Sequence, residues 1–482
     1  MNVSATVPPR LRFPIGFGAR LRPDLLRNDD GLLVGGSPLR ALRLSPRARA
    51  CLDGDRVVVR DRASAEVAAR LLDGNLADPE PHGLEVGPEE LTVVVPVRDR
   101  PGQLERCLAA LAPLPCLVVD DASRDRAAVA EVVARHGATL LPLDHNLGPA
   151  GARNAGLARV RTPYVAFVDS DVEVTSAVLL GLARHFADEQ VALVGPAVRG
   201  ISRSVRPRWF ERYDVLASSL DLGDVGAAVR PGSRVGWLPS ACLVGRTDVV
   251  RSVGGFDGRM RVGEDVDLVW RLAASGAMVR YDPTRVAGHD TRATIGGWLG
   301  RKFVYGTGGA ALAARHGDAT APAVLSVTTA VGAAALLLRR RWSVPVAALA
   351  TAVSVRALRG TLPSSPRCGV PLSVDVAVRG LGWGVRQESE LLVRHWWPAA
   401  ALACLVSRSA RHAVATALVV DAVVGARRLP LSSVSELPTA LVADRLDDLA
   451  YGAGLWVGAA RARSLRCLRP RSAKAGSAQP LS

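Results

Sequence analysis

Residues 165–172 read VAFVDSDV. Four apolar positions in succession, Val165 to Val168, make a buried strand, and Asp169, Ser170 and Asp171 follow where that strand runs out into solvent. Side chains at i and i+2 of an extended segment point the same way, so both carboxylates can reach one hard cation and the ligand it holds. A solvated turn uses the same residue types, and the surrounding chain decides between the two readings.

Upstream, LTVVVPVRDR (residues 91–100) is a continuous apolar run of the kind that fills the centre of a parallel sheet. RPGQLERCLAALAPL then carries apolar residues at helical spacing, and CLVVDDAS is a second buried strand ending in Asp120 and Asp121. Strand, helix, strand is a βαβ unit, and ligands of such sheets gather beyond the carboxyl ends of the strands. One of Asp120 and Asp121 can accept a hydrogen bond from a base or ribose, and one can cap the helix begun by SRDRAAVAEVVARHG. In HNLGPAGARNAGLARV (residues 145–160), Gly148, Gly151 and Gly156 surround a helix start where backbone N–H groups can approach a phosphate, assisted by Arg153. Neither G-x-G-x-x-G nor GK[ST] occurs, so a dinucleotide or P-loop fingerprint is not met.

Downstream, VGEDVDLVWRL (residues 262–272) opens a helix, with Gly263 permitting a tight turn into it and Glu264 and Asp265 in its first turn. Acidic residues suit any helix N-terminus, and Asp267 and Arg271, four apart, read as an intrahelical pair. WLPSACLV (residues 237–244) reads as a strand, with Trp237 either buried or stacked on a sugar ring. His289 follows a short strand and can be a ligand or a structural imidazole.

The motifs TVVVPVRDR, VVDDAS, NLGPAGARNAG, VAFVDSD and VGEDVDLVWRL, in that order, resemble an inverting family 2 glycosyltransferase of the type A fold. The resemblance implies a nucleotide-diphosphate-sugar donor, with the base against Pro96, Val97, Arg98, Asp120 and Asp121, and with Arg153 and Ser170 also at the donor. It implies Mg2+ or Mn2+ on Asp169 and Asp171, with His289 as a third ligand, Asp265 as general base and Glu264 as the residue that positions the acceptor. It also implies that residues 200–236 shape the acceptor pocket. The chemistry asks for these parts independently. A departing diphosphate needs its charge neutralised, and single displacement needs one carboxylate to take the acceptor's proton. The Q-x-x-R-W motif of processive synthases is missing, although Arg301 and Lys302 can still meet a diphosphate.

The 482 residues suggest several domains. Residues 1–85 read as a small winged-helix-like module of two or three antiparallel strands followed by helices, with Ser64 as a helix cap. It resembles the peptide-recognition domains of ribosomal-peptide modification systems, and DPEPHGLEVGPEE links it to the next domain. Residues 90–310 are the catalytic α/β domain, 311–470 a helical apolar region and 471–482 a disordered tail. The run APAVLSVTTAVGAAALLL (residues 321–338) is just long enough for a membrane span. A single crossing there would put Arg339 to Arg341 outside, against the positive-inside rule, so a helical hairpin or interfacial helices fit better than several spans. A soluble helical domain is the alternative.

Lys and Arg number 61 against 45 Asp and Glu, a net charge of +16, with Lys302 and Lys474 the only lysines. Phosphorylated substrates and a membrane face are the expected partners and nucleic acid is not; compositional bias toward arginine would give the same excess. Seven scattered cysteines form no C-x-x-C pair, so no zinc site or disulfide framework is expected, and the first residues lack the pattern of a secretory signal. The three-part arrangement is similar to the glycosyltransferases of mycofactocin systems. That likeness implies UDP-glucose as donor, a peptide-derived redox cofactor or its precursor peptide as acceptor and a short β-linked glucan as product; the apolar C-terminal runs suggest a cell-membrane location, with the catalytic domain cytoplasmic where nucleotide sugars are. The alternatives are a lipid or cell-wall polysaccharide acceptor and a non-catalytic nucleotide-sugar-binding scaffold. A nucleotidyltransferase is disfavoured because its Gly-rich loop is replaced by VVVPVRDRPG.

Overall fold

The computed structural model describes residues 11–27, 31–37, 39–361, 369–429 and 434–472; the end of the expected tail, 473–482, lies outside them. The chain divides into two compact units. One comprises residues 1–199, 220–259 and 264–289, the other residues 200–219, 260–263 and 290–482.

The first unit is built on a nine-stranded sheet. Its elements are β1 (Leu91–Val97), α1 (Pro101–Leu111), β2 (Cys116–Asp120), α2 (Arg126–Arg135), β3 (Thr139–Pro142), α3 (Gly148–Arg159), β4 (Tyr164–Val168), β5 (Val172–Glu173), β6 (Val191–Ile201), β7 (Cys242–Arg246), α4 (Glu264–Ala274) and β8 (Met278–Asp290). The strand order is β3-β2-β1-β4-β7-β6-β8-β5, with the short strand Ala227–Ala228 beside β8. Strands β3, β2, β1 and β4 are parallel, whereas β7 runs antiparallel to β4. The first crossovers step outward from β1 to β2 and β3, and the chain then returns to place β4 on the other side of β1. Order therefore reverses at β1/β4, and the carboxyl ends of those strands flank the crevice where α/β sheets bind ligands.

The apolar runs supply the reason. Val93, Val95 and Val97 of β1, Val118 of β2 and Ala166 and Val168 of β4 are buried with Leu104, Leu108 and Leu111 of α1 in one core. Helix α3 lies close because Gly156 has no side chain; a Cβ there would strike Val94 and Val119. The strand expected over residues 237–244 begins only at Cys242. Pro239 has no N–H to donate, and the Ser240 N–H is taken by Asp265 at 3.2 Å.

Residues 11–80 have more strands than the two or three expected. A four-stranded sheet runs Leu52–Asp53, Arg56–Val58, Gly18–Leu21, Ala77–Glu80, and Leu26–Arg27, Leu32–Gly35 and Arg40–Arg43 form a second. Two helices, Pro46–Ala50 and Arg62–Asp73, accompany them. The cap of the second is Asp61 rather than Ser64, because Asp61 Oδ1 accepts the Ser64 N–H at 2.8 Å while the Ser64 hydroxyl accepts the Asp61 N–H at 3.0 Å. The linker starts later than its composition suggests. Asp78, Pro79 and Glu80 belong to an edge strand, where a proline's missing N–H costs no ladder bond. Arg12 binds Asp188 at 2.8 Å and Asp73 at 2.9 Å, and the Asn75 side chain accepts the Ala228 N–H at 2.7 Å, so this segment is bonded to the larger sheet.

The second unit is helical. The apolar run 321–338 does not form one helix. Val324–Leu325 pairs with Arg471–Ser472, and Ser326 caps a helix, Val327–Leu338, whose 12 residues span about 18 Å, short of a ~30 Å hydrocarbon layer. A turn containing Arg339 and Arg340 leads into the helix Ser343–Thr361, giving a helical hairpin. Among the described residues one helix, Arg408–Arg428, is long and apolar enough to cross a membrane. Helices Ile295–Thr307 and Leu437–Arg461 meet backbone to backbone, since a Cβ on Gly306, Gly454 or Gly458 would run into main-chain atoms of the other helix.

Candidate active site

The motif at residues 169–171 turns the chain from β4 into β5. The Asp169 N–H donates to Ala241 O at 3.0 Å, and the Val172 N–H closes the turn onto Asp169 O at 2.9 Å. Strand β5 then pairs antiparallel with β8, setting Val172 opposite His289. His289 Nε2 consequently lies 3.7 Å from Asp171 Oδ2. Asp171 and Ser170 are buried, and Asp169 is partly exposed. Carboxylate and imidazole donors side by side at a strand end fit Mn2+ well and Mg2+ acceptably.

Arg153 projects from α3 and is buried, with its guanidinium 5.3 Å from the centre of the Phe256 ring. It forks between two acids, donating through Nη2 to Asp169 at 2.5 Å and through Nη1 to Glu264 at 3.1 Å. Among the described residues its Nε meets no hydrogen-bond partner. The arginine expected at the donor thus joins the strand-end motif to the helix that carries the expected base.

That helix starts sharply. Gly263 has φ +81, a conformation other residues resist, and it places Glu264 and Asp265 at the N-terminus of α4. Asp265 accepts the Ser240 N–H at 3.2 Å and the Val266 N–H at 2.8 Å. Ser240 and Ala241 are consecutive, so Asp265 and Asp169 hang from one short piece of backbone. Burial and the adjacent Asp265 push Glu264 up to about 7, against the pull of Arg153, and burial also raises Asp265. Such a pair holds a proton near neutrality. Asp267 and Arg271 form the expected intrahelical pair at 2.8 Å, and Arg271 also donates to Val253 O and Gly255 O.

The base-side residues line the ends of β1 and β2. Val97 sits opposite Asp120 in the parallel ladder, Pro96 is partly exposed, and Arg98 is exposed. Asp120 accepts the Ser123 N–H at 3.0 Å, and Ala122 between them has φ +57. Asp121 accepts the N–H groups of Leu147 at 2.6 Å and Gly148 at 2.9 Å. It caps α3, whereas the following helix α2 is capped by Asp125. The first amides of the glycine-rich helix start therefore face a carboxylate of the protein.

Trp237 is half-buried, and the Trp270 indole N–H donates to Gly236 O at 2.7 Å. In the second unit Lys302 is buried and ion-paired to Asp447 at 2.5 Å and Asp214 at 3.7 Å, and Arg301 bonds the Tyr305 hydroxyl one turn on at 3.1 Å. Both cations expected to meet a diphosphate have partners within their own unit. One residue that the sequence reading passed over is Arg100, two positions beyond Arg98, whose Nη1 donates to Asp171 Oδ2 at 2.6 Å. Its position directly before Pro101 at the start of α1 is the sole signal for it in the sequence.

Comparison with known proteins bears on the assignment. The profile of Glycosyl transferase family 2 matches residues 92–224, and that of Glycosyl transferase family group 2 matches residues 164–404. The chain is 41% identical over 479 residues to the pre-mycofactocin glycosyltransferase of Mycobacterium tuberculosis, covering 95% of this chain and 98% of that one. It is 29% identical over 226 residues to N-acetylglucosaminyl-diphospho-decaprenol L-rhamnosyltransferase of the same organism, covering 40% and 73%. Among solved structures, the mannosyltransferase PcManGT from Pyrobaculum calidifontis in complex with GDP-Man and Mn2+ aligns at 18% identity over 73% of this chain and 86% of that chain, with a TM-score of 0.37.

Proposed function

The chain belongs to glycosyltransferase family 2 and is a glycosyltransferase of the mycofactocin pathway; from that premise we propose that it moves glucose from UDP-glucose, with inversion, onto mycofactocin or its peptide-derived precursor, giving a short β-linked oligosaccharide. The observation that supports the reading is the common anchorage of Asp169 and Asp265 on the consecutive residues Ala241 and Ser240, which suits a donor acid and a base acid serving one reaction.

Asp171 and His289, with Asp169, would hold Mg2+ or Mn2+. Bound there, the cation supplies neutralisation of the charge that develops on the leaving diphosphate. Pro96, Val97, Arg98, Asp120 and Asp121 would frame the base and Ser170 the donor beside the carboxylates, with Arg153 fixing Asp169 from behind. Asp265 takes the proton of the acceptor hydroxyl, whose oxygen forms the bond to the anomeric carbon as the bond to the diphosphate oxygen breaks and UDP leaves with the electron pair. Glu264, carrying a proton near neutrality, donates a hydrogen bond to the acceptor and keeps it in line.

The N-terminal module, whose two sheets end among the described residues at Ala77–Glu80 and Arg40–Arg43, would receive a peptide by strand addition. Exposed Val344, Leu349, Leu402, Leu405 and Val406 suit helices lying in a membrane face, with the catalytic unit on the cytoplasmic side where nucleotide sugars are made. A donor screen by mass spectrometry with peptide-derived acceptors tests the assignment. Transfer from UDP-glucose should stop on chelation and return with Mn2+, and Asp265→Asn should lower turnover about 100-fold or more while UDP still binds. Undiminished transfer by Asp265→Asn would remove the base. A labelled precursor peptide that does not bind the full chain would remove the module's role.

A further inference from the structure

The two carboxylates of residues 169–171 are each met by an arginine, and the two arginines differ in kind. Arg153 is buried and held by two acids. The Arg100 side chain is 41% exposed, while that of Asp171, on which it rests, is 7% exposed. The backbone beneath Arg100 is pinned. Asp99 has φ +56, its N–H donates to Ser123 Oγ at 2.9 Å, and its Oδ1 accepts the Arg124 N–H at 2.7 Å. The loop after β1 is thereby fastened to the loop after β2, and α1 starts at Pro101, leaving the Arg100 side chain as the movable part. Its contact falls on Asp171 Oδ2, the same oxygen that faces His289 Nε2 at 3.7 Å.

A buried carboxylate without a counter-charge is costly, and Arg100 supplies a counter-charge to Asp171. A divalent ion held between Asp171 Oδ2 and His289 Nε2 competes with Arg100 for that oxygen, and two cations on one carboxylate oxygen repel each other. We infer that Arg100 is a two-position donor-site residue. It occupies Asp171 before the metal arrives, and once displaced it remains at the carboxyl end of β1, where it binds the diphosphate of the nucleotide. A guanidinium matches phosphate oxygens with paired N–H donors, and a long exposed side chain on a fixed backbone exchanges one anionic partner for another at small cost. The inference rests on the metal reading of Asp171 and His289 and on the nucleotide-diphosphate donor of the proposed function.

The test uses the full chain with the variants Arg100→Gln, Arg100→Lys and Asp171→Asn. Free Mn2+ is followed by electron paramagnetic resonance without nucleotide, and UDP binding by calorimetry at saturating Mn2+. Arg100→Gln should bind Mn2+ about fivefold or more tighter than the wild type and the UDP–Mn2+ pair about fivefold or more weaker, the scale of a typical coupling between two ligands. Arg100→Lys, which keeps the charge, should stay close to the wild type in Mn2+ binding and so separates the charge effect from misfolding. Unchanged or weaker Mn2+ binding by Arg100→Gln, with Asp171→Asn losing the metal, would overturn the exchange and leave the metal site standing. Wild-type Mn2+ affinity in Asp171→Asn would overturn the metal site itself, and the exchange with it.

Discussion

Arg153 and Glu264 stand 111 positions apart in the chain and 3.1 Å apart in space. The other arm of the same guanidinium reaches Asp169. Removing it leaves two acids near one another without their shared cation, so Arg153→Met should destabilise the fold by about 3 kcal/mol, read from urea unfolding. Adding Glu264→Gln to that variant should recover part of the loss when unfolding is read above about pH 7, because the charge that Glu264 takes on there is then gone. A double variant no more stable than the single one would show that the fork is not the source.

Glu264 also makes stability depend on pH. Burial and Asp265 hold it up to about 7, above its ordinary value of 4.5. Between those two values the folded chain carries a proton that the unfolded chain has released, so this group's contribution falls as pH rises through that window. The wild type should lose more unfolding free energy, read from urea unfolding, between about pH 5 and about pH 8 than Glu264→Gln does, by up to about 3 kcal/mol for a shift of this size. Equal slopes in the two proteins would remove the assignment of the shift.

Asp121 acts on a helix that starts 27 residues later. Asp121→Ala leaves the N–H groups of Leu147 and Gly148 without their carboxylate, and the loss of such a cap costs about 1–2 kcal/mol. Thermal unfolding measures it. Asp121→Asn, which keeps an acceptor oxygen, should lie between the two; an alanine variant as stable as the wild type would show that water replaces the cap.

Arg12 binds Asp188, a nearly fully buried carboxylate beside the larger sheet. Arg12→Ala should cost about 2–3 kcal/mol, most of it from the acid left behind, and Arg12→Ala with Asp188→Asn should cost less than the first change alone. Denaturant unfolding of the four proteins in the cycle checks this. Strict additivity would mean that the pair is not coupled.

What the sequence makes legible is what short-range chemistry writes into it. The apolar runs of β1, β2 and β4 are continuous, and β2 and β4 run out into acids, so their place in a parallel sheet and the location of Asp169, Asp171 and Asp120 follow from local pattern. The unread parts depend on partners remote in sequence. Ser240 and Ala241 serve through a backbone N–H and a backbone carbonyl, which no side-chain pattern records. Asp121 looks like the start of the adjacent helix because caps are usually local, yet its partners lie beyond the next strand. The run 321–338 passes a count of apolar residues, but Ser326 caps a helix inside it and Val324–Leu325 is taken into a strand pair.

The glycine contact between helices Ile295–Thr307 and Leu437–Arg461 carries a consequence for how that part of the protein assembles. Where main chain meets main chain there are no rotamers to freeze on docking, so the two helices come together at small entropic expense. By the same token no side chain at the crossing can swing aside to absorb an error. A single methyl at Gly454 acts as a wedge with nowhere to go, and the joint is either fully seated or open.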